Sequence, residues 1–548
     1  MTILYFILLI GVLIFVHELG HFLFAKLFNV KVLKFSLGFG PRMLGFRKGE
    51  TEYVIAWLPL GGYVKMLGED PNDEIREEDQ GRAFHQKPLW QRYIIVFAGP
   101  AFNLIFPTLI YFVFYMAQTT LPPSVIGKVF VGQPAAEAGL EAGDTIVAIN
   151  GERVRYWEDM QRIISDSPRK PLKFTIKREG KTFDRFITPS EEVRRDRLGL
   201  EQREGRIGIA NYSEPVQVGV GLPSSPAGRA GLQTGDQLTA LDGEPIVSWS
   251  SLRRKLQRSR GKSLRLSYLR PGKVISGFAD LRLMAPRITI VDPEALMKKG
   301  RRRYETGLDS AEFFVAKVEK GSPAEKLGIK RGDRVLEFNG KKLHHWETIR
   351  MTLRSHLKAE HSITWIPYGS TAPKTAKFKL AHVTYYDEYK QKQERYVFGA
   401  HNRLIREFPP PVPIEGRFTY AVSQGIQRTG EIVGVIAIAF VQIFRGAIPR
   451  DTIGGPVMLY HTAGVAARKG WDHFLSMMAL ISINLGILNL LPIPILDGGH
   501  IMFFTIEAIK RRPLSLRARE IASYIGLFLL VSLMVFAFKN DIVRYWFK

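Results

Sequence analysis

Hydrophobic positions follow two different patterns along this chain. At both ends they form continuous runs; between about residues 118 and 470 they alternate or recur in short stretches among charged residues. Four runs, 2–28, 93–117, 472–491 and 521–538, are long enough to cross a bilayer core of roughly 30 Å as helices. A fifth run, 432–444, is shorter, and runs of about 10–14 apolar residues suit interfacial or re-entrant segments. It is predicted to lie on the membrane, because a crossing there would put the functional ends of the first and fourth spans on opposite faces. A cleaved signal peptide is the other reading of 2–28. That run has no basic start and no small-residue cleavage site, and it carries two His and one Glu.

The polar middle repeats itself. Pro134-Ala-Ala-Glu-Ala-Gly-Leu-Glu-Ala-Gly-Asp144-Thr-Ile-Val-Ala-Ile-Asn-Gly151 returns as Pro226 to Gly243 and again as Pro323 to Gly340. Asp144, Asp236 and Asp333 are thus separated by 92 and then 97 residues, the size of a small domain each time. Each copy predicts a short helix ending at a Gly cap, a Gly-Asp turn, an alternating strand, and a tight hairpin at Asn-Gly or Asp-Gly. An amphipathic helix follows, as in Trp157 to Ile164. The pattern resembles bacterial PDZ domains, which bind an extended peptide or chain terminus by adding it to a sheet edge. Three spacer domains with no bound peptide are the competing reading.

Composition adds three constraints. A chain of 548 residues is too long for one core, so several domains are expected. The net charge of +25 is spread along the chain and partly clustered beside apolar runs, which favours a membrane setting over nucleic acid. With no cysteine, disulfides, thiolate catalysis and Cys-ligated metals are excluded. The loop from Lys31 to Arg92 carries ten Lys and Arg, and the loop between the last two runs carries Lys510, Arg511, Arg512, Arg517 and Arg519. Both loops are therefore expected in the cytoplasm, with the N-terminus, the repeats and the C-terminus outside.

Candidate chemistry stands inside the first run, at His17-Glu18-Leu19-Gly20-His21. Residues four apart share a helix face, so His17 and His21 can present both imidazoles to one metal ion. Glu18, about 100° round the helix, can hold a metal-bound water and take its proton. Ionisable groups are costly inside a bilayer, so three in one apolar helix call for a partner such as a metal. A catalytic zinc takes three protein ligands and keeps one position open. Asp497, in Asn489-Leu-Leu-Pro492-Ile-Pro494-Ile-Leu-Asp497-Gly498-Gly499-His500, follows a run entering from the same side and reaches a similar depth. Its prolines break the helix and its glycines permit close backbone approach. A helix cap is the bland reading of Asp497; the basic stretch Lys298 to Arg303 reads as a linker, and Tyr385 to Arg406 has no assigned role.

These segments together resemble the site-2 protease family of intramembrane zinc metalloproteases, over both membrane ends and more loosely the middle. The resemblance implies His17, His21 and Asp497 as Zn2+ ligands, Glu18 as catalytic base, and Asn489 as a residue holding the substrate backbone or the oxyanion. Gly99-Pro-Ala-Phe-Asn103 is similar to a family GPxxN element suited to close helix packing and an interhelical hydrogen bond. Gly38-Phe-Gly40 and Trp57 to Met66 resemble a membrane-dipping β-hairpin whose edge strand, here Gly61, Gly62, Tyr63 and Val64, pairs with substrate. Gly454-Gly-Pro-Val457 also resembles a family segment. Bacterial members of this kind usually carry two PDZ domains; three are read here.

The expected architecture is multidomain. An α-helical membrane domain has four transmembrane helices and a membrane-associated β-hairpin, with extracytoplasmic α+β PDZ-like domains between its halves. The expected boundaries are 1–117 and 471–548 for the membrane halves, 120–190, 205–288 and 308–385 for the PDZ-like domains, and 415–470 for a membrane-surface amphipathic region. The implied activity is cleavage within or beside the transmembrane segment of a pre-trimmed membrane protein, such as an anti-sigma factor or signal-peptide remnant, with the PDZ array gating access. The expected setting is a bacterial inner membrane, as a monomer in contact with lipid and without nucleic acid. The rival readings are a non-catalytic membrane scaffold presenting peptide-binding domains and a soluble-type zinc protease tethered by an anchor.

Overall fold

The computed structural model describes residues 1–547 apart from 70–72, 196–200, 247–248, 260, 276–280, 299–300, 389–391, 403, 447–451 and 513. Seven helices belong to the two apolar ends: α1 (Thr2–Leu27), α2 (Leu89–Ala117), α3 (Arg417–Phe444), α4 (Pro456–Lys469), α5 (Trp471–Asn489), α6 (Asp497–Lys510) and α7 (Leu516–Trp546). Antiparallel packing of α1 on α2 buries Leu9 and Leu13 with Ile110 and Tyr111 toward one end of the bundle, where Phe474 of α5 and Ala463 of α4 join them. Toward the other end, Ala25 packs with Ile95 and with Phe35, Val64 and Met66 of a hairpin.

That hairpin consists of β1 (Val32–Lys48) and β2 (Thr51–Met66). It folds back on itself. Residues 34–37 of β1 pair with 52–55 on one side and with 62–65 on the other. Among the described residues, 62–65 has a strand partner on one side only, so it forms an edge facing α1.

The chain contains five described helices long and apolar enough to cross a membrane, where the hydrophobic pattern predicted four. The fifth is α3. Its apolar run 432–444 is the second half of a 28-residue helix whose first half carries Gln424, Gln427, Arg428 and Glu431. Those polar residues cut the apolar run short, and the helix continues through them because its small and aromatic face packs on α2. Phe418 meets Phe112, Tyr420 meets Tyr115, and Thr108 donates to Thr429 at 3.0 Å. Arg417 donates to the Met116 carbonyl at the end of α2, whereas α4 lies beside Thr2 and Trp471 beside Tyr5. The start of α3, helix α4 and the start of α5 therefore share one end of the bundle.

The threefold repeat folds into three sheets of one strand order. In the first, Thr145–Ile149 lies between Glu152–Arg153 and Leu172–Arg178, with Lys181–Ile187 outermost. The corresponding four strands of the second and third copies follow the same order, and each copy has its own apolar core. Each also takes a closing strand from further along the chain. Lys128–Val129 pairs with Ile209–Ala210, Val218–Gly219 with Asp309–Ser310, and Lys317–Val318 with Ala400–His401. The units thus extend past the boundaries 190, 288 and 385 drawn from the repeat, because the two-residue closing strands lie outside the repeated motif. Glu294–Lys298 and Arg301–Glu305 form a hairpin where a linker was expected, although residues 299–300 lie outside the described set. Part of the unassigned stretch 385–406 forms a hairpin of Ala381–Tyr386 with Lys392–Val397.

The Gly-Asp of each repeat closes its unit. Asp144, Asp236 and Asp333 are all buried, and each accepts the backbone N–H three residues earlier. Arg178 bonds both oxygens of Asp144, and Arg270 bonds both of Asp236; in the third unit the backbone N–H of Tyr368 donates to Asp333 instead. Asparagine at these positions can still accept from the backbone but removes the counter-charge from Arg178 or Arg270. Asp144→Asn and Asp236→Asn are expected to cost their units about 1–3 kcal/mol, and Asp333→Asn distinctly less. Amide hydrogen exchange on the full-length protein reads this, and equal loss of protection in all three units would contradict it.

Candidate metal centre

Leu9, Leu13, His17, His21 and Ala25 recur every four residues and so form one stripe along α1. Leu9, Leu13 and Ala25 bury it against the bundle, which carries both histidines into the interior beside α2. There the ring nitrogens find fixed partners. His21 Nδ1 lies 2.9 Å from the carbonyl of Ile95. A carbonyl can only accept, so Nδ1 carries the proton and the Nε2 lone pair is left for a metal. His17 Nδ1 lies 3.1 Å from the side-chain amide of Asn103, which is fully buried and whose Oδ1 has no other partner. The two ends of an amide are alike in shape; turned over, Oδ1 accepts from His17 Nδ1–H and gives His17 the same tautomer as His21.

The third group arrives from the far end of the chain. Helix α5 stops at Asn489, the Pro492-Ile-Pro494 segment interrupts the helical path with Ile495 at φ 106°, and α6 begins at Asp497. This places Asp497 Oδ2 3.1 Å from His17 Nε2 and Oδ1 3.5 Å from His21 Nε2, and the two Nε2 atoms are 3.3 Å apart. Ligand atoms about 2.0–2.1 Å from a tetrahedral zinc lie roughly 3.3 Å from one another. The three residues therefore fit the metal in atom type, tautomer and spacing. Among the described residues they are the one cluster of three or more His, Cys, Asp or Glu side chains able to hold a metal.

Other residues expected at the site gather around these three. Glu18 is buried at 8 % exposure on the face of α1 next to the histidine stripe. Gly62 of the β2 edge lies against it: a Cβ there would come within 3.0 Å of Glu18 Cγ and 2.7 Å of Ile14 Cγ2. The edge strand and the carboxylate thus approach closely only because residue 62 has no side chain. Gly61, Tyr63 and Val64 lie on the same strand, Val64 buried in the hairpin core and Tyr63 stacked on Phe39. Asn489 Nδ2 lies 3.4 Å from both ring nitrogens of His17. His500, expected to be structural or solvent-facing, is exposed on α6.

Two participants exceed what their sequence suggested. Gly99 and Asn103 read as helix-packing residues, yet they touch the histidines themselves. A Cβ on Gly99 would lie 2.3 Å from His21 Nε2 and 2.9 Å from His17 Cε1, so Gly99 is the floor under both rings. Their four-residue spacing on α2 matches that of the histidine pair on α1, a signal present in the sequence. The Ile95 carbonyl left none, since any residue supplies one. Gly99→Ala should displace both rings and leave purified protein with less than about a tenth of the wild-type metal affinity. Asn103→Ala should weaken metal binding roughly 10–100-fold, the usual effect of losing a partner behind a ligand. Metal titration of the two variants checks both, and wild-type affinity in Gly99→Ala would show that the rings are held elsewhere.

Comparison with known proteins bears on this geometry. The model of peptidase family M50 matches residues 5–533. A protein of Escherichia coli K12 named regulator of sigma-E protease RseP is 28 % identical, the match covering 98 % of each chain. Its namesake in Salmonella typhimurium is 29 % identical over 98 % of each. A Vibrio cholerae relative described as a candidate zinc metalloprotease is 28 % identical over 98 % of each.

Proposed function

Because this chain belongs to peptidase family M50 and is an intramembrane zinc metalloprotease, we propose the assignment of its machinery as follows. His17, His21 and Asp497 hold the Zn2+, Glu18 is the general base, and Asn489 steadies the oxyanion or the substrate backbone. The observation that carries this is the convergence of three ligand atoms at 3.1–3.5 Å from opposite ends of the chain, inside apolar helices.

Zinc supplies Lewis-acid polarisation of the scissile carbonyl and acidifies the attacking water. The chain's own groups do the rest. A substrate helix must first unwind, which frees backbone N–H and C=O groups that cannot stay unpaired away from water. The open edge that includes Gly62, Tyr63 and Val64, with Gly61 just ahead of it, offers them partners and lays the extended segment along Glu18. The Glu18 carboxylate takes a proton from the attacking water and returns it to the departing amine. The Asn489 amide donates toward the carbonyl oxygen as charge develops there.

The substrate is a membrane protein already trimmed by another protease. The relatives named regulators of sigma-E protease favour an anti-sigma factor, with signal-peptide remnants as a second class. The three repeat units are PDZ-like domains on the periplasmic side of an inner membrane, and the basic loops Lys31 to Arg92 and Lys510 to Arg519 are cytoplasmic. A cleft of about 830 Å³ lies between the Trp157–Ser165 helix of the first unit and the Trp346–Ser355 helix of the third. The protein acts as a monomer, and α3 enters the lipid from outside without a net crossing.

Glu18→Gln should bind zinc normally and cleave a model transmembrane substrate at least 100-fold more slowly, within the roughly 10²–10⁴-fold worth of a general base. Asp497→Ala should lose zinc. Unimpaired cleavage by Glu18→Gln would remove its role, and zinc retention by Asp497→Ala would remove the ligand set. Deletion of 120–385 should permit cleavage of untrimmed substrate; retained selectivity would dismiss the gate.

A further inference from the structure

Glu507 lies on α6, ten residues beyond Asp497, and takes no part in the chemistry above. It is largely buried, and so is its partner Arg92 of α2, whose Nη2 donates to Glu507 Oε1 at 2.6 Å. Arg519 of α7 approaches the other oxygen at 3.5 Å. The Arg92 guanidinium also sits over the ring of Phe504, one turn back on α6, at 5.2 Å. A buried carboxylate with two cations from two helices is costly to assemble, and it holds its members in one arrangement because separating them exposes an unpaired charge.

The place of Arg92 on α2 gives this cluster its meaning. Arg92, Ile95, Gly99 and Asn103 follow one another at spacings of three, four and four residues, a single face of the helix. Ile95 fixes His21, Gly99 supports both rings and Asn103 fixes His17. The same face, one turn before Ile95, grips the helix that begins with Asp497.

We infer that Glu507 is a positioning residue which, through Arg92, sets α6 so that Asp497 meets the two histidines. The lever is long: from Asp497 to Glu507 is roughly 15 Å at 1.5 Å per residue. A tilt of about 5° at the Glu507 end therefore moves the carboxylate by about 1.3 Å, against a tolerance of about 0.2 Å in metal–ligand distance. The inference rests on His17, His21 and Asp497 being the zinc ligands.

The test measures zinc affinity of the full-length protein by competition with a chelator, and the cobalt(II) ligand-field spectrum of the same samples. Glu507→Gln and Arg92→Gln should each weaken zinc binding roughly tenfold, the lower end of the range for groups behind a ligand, with loss of the intense tetrahedral cobalt bands. Arg92→Lys should restore both readouts, since Arg92 contacts Glu507 through one nitrogen and a lysine can replace it. Asp541→Asn controls for general loosening: Asp541 ties α7 to the backbone of Gly455, Val457 and Met458 at the opposite end of the bundle. It should lower the melting temperature while leaving zinc affinity and spectrum unchanged. Wild-type affinity in Glu507→Gln, failure of Arg92→Lys to improve on Arg92→Gln, or an equal loss in Asp541→Asn would each overturn the inference. If Glu507→Gln does not fold, the two Arg92 variants decide alone. Zinc bound normally by Asp497→Ala would instead defeat the ligand assignment on which the inference stands.

Discussion

An imidazole or a carboxylate inside an apolar helix bundle has to be answered by another buried polar group, and most of this protein's membrane end follows from that constraint. His17 and His21 lie in the largely buried stripe of α1, with little of either ring exposed. Each is therefore bonded at Nδ1 to α2, through Asn103 or the Ile95 carbonyl, and faces Asp497 at Nε2. Packing is adjusted to allow it. Gly99 leaves room beneath the rings, Gly62 lets the hairpin edge approach Glu18, and the proline turn after Asn489 delivers a carboxylate at the required depth. The bonds that fix the tautomers also leave the Nε2 lone pairs directed at one point. The arrangement that satisfies the buried polarity is thus also the one that fits a metal.

The outer units obey a different economy. Each is built round its own apolar core, with a buried aspartate at the turn and a short strand returning from later in the chain. Two units pair that aspartate with an arginine, and in the third it accepts a backbone N–H instead. Their connection to the membrane end is also visible in side chains. Tyr156 at the start of the first unit's helix accepts from the backbone N–H of Glu415, just ahead of α3. The first unit and α3 are thereby joined where both meet α2.

Much of this was legible in the sequence, because the informative residues were ones with narrow uses. Two histidines and a glutamate in an apolar run, and an aspartate behind two prolines, have few alternatives to a metal site. The repeat announced three units of one topology through its Gly-Asp and Asn-Gly turns. What was not legible depends on less specific material. The length of α3 was underestimated because a polar half-helix packed on α2 looks like a loop when only hydropathy is read. The closing strands of the units are two residues long and carry no pattern. The hydrogen bond from His21 uses a main-chain carbonyl, which no choice of side chain advertises, and the Arg92–Glu507 contact joins positions 415 residues apart.

The separation of the two halves of the site along the chain has a consequence in time. His17 and Asn489 stand 472 residues apart, and Asp497 comes later still. At roughly 5–20 residues per second, synthesis runs for on the order of half a minute or longer between the appearance of the histidines and that of the carboxylate. Throughout that interval the growing polypeptide holds the two histidines of the proposed ligand set without its carboxylate. On that assignment the nascent chain cannot cut its own emerging spans before the domains that surround the site have been made. Completion of the proposed site is thus one of the last events of synthesis.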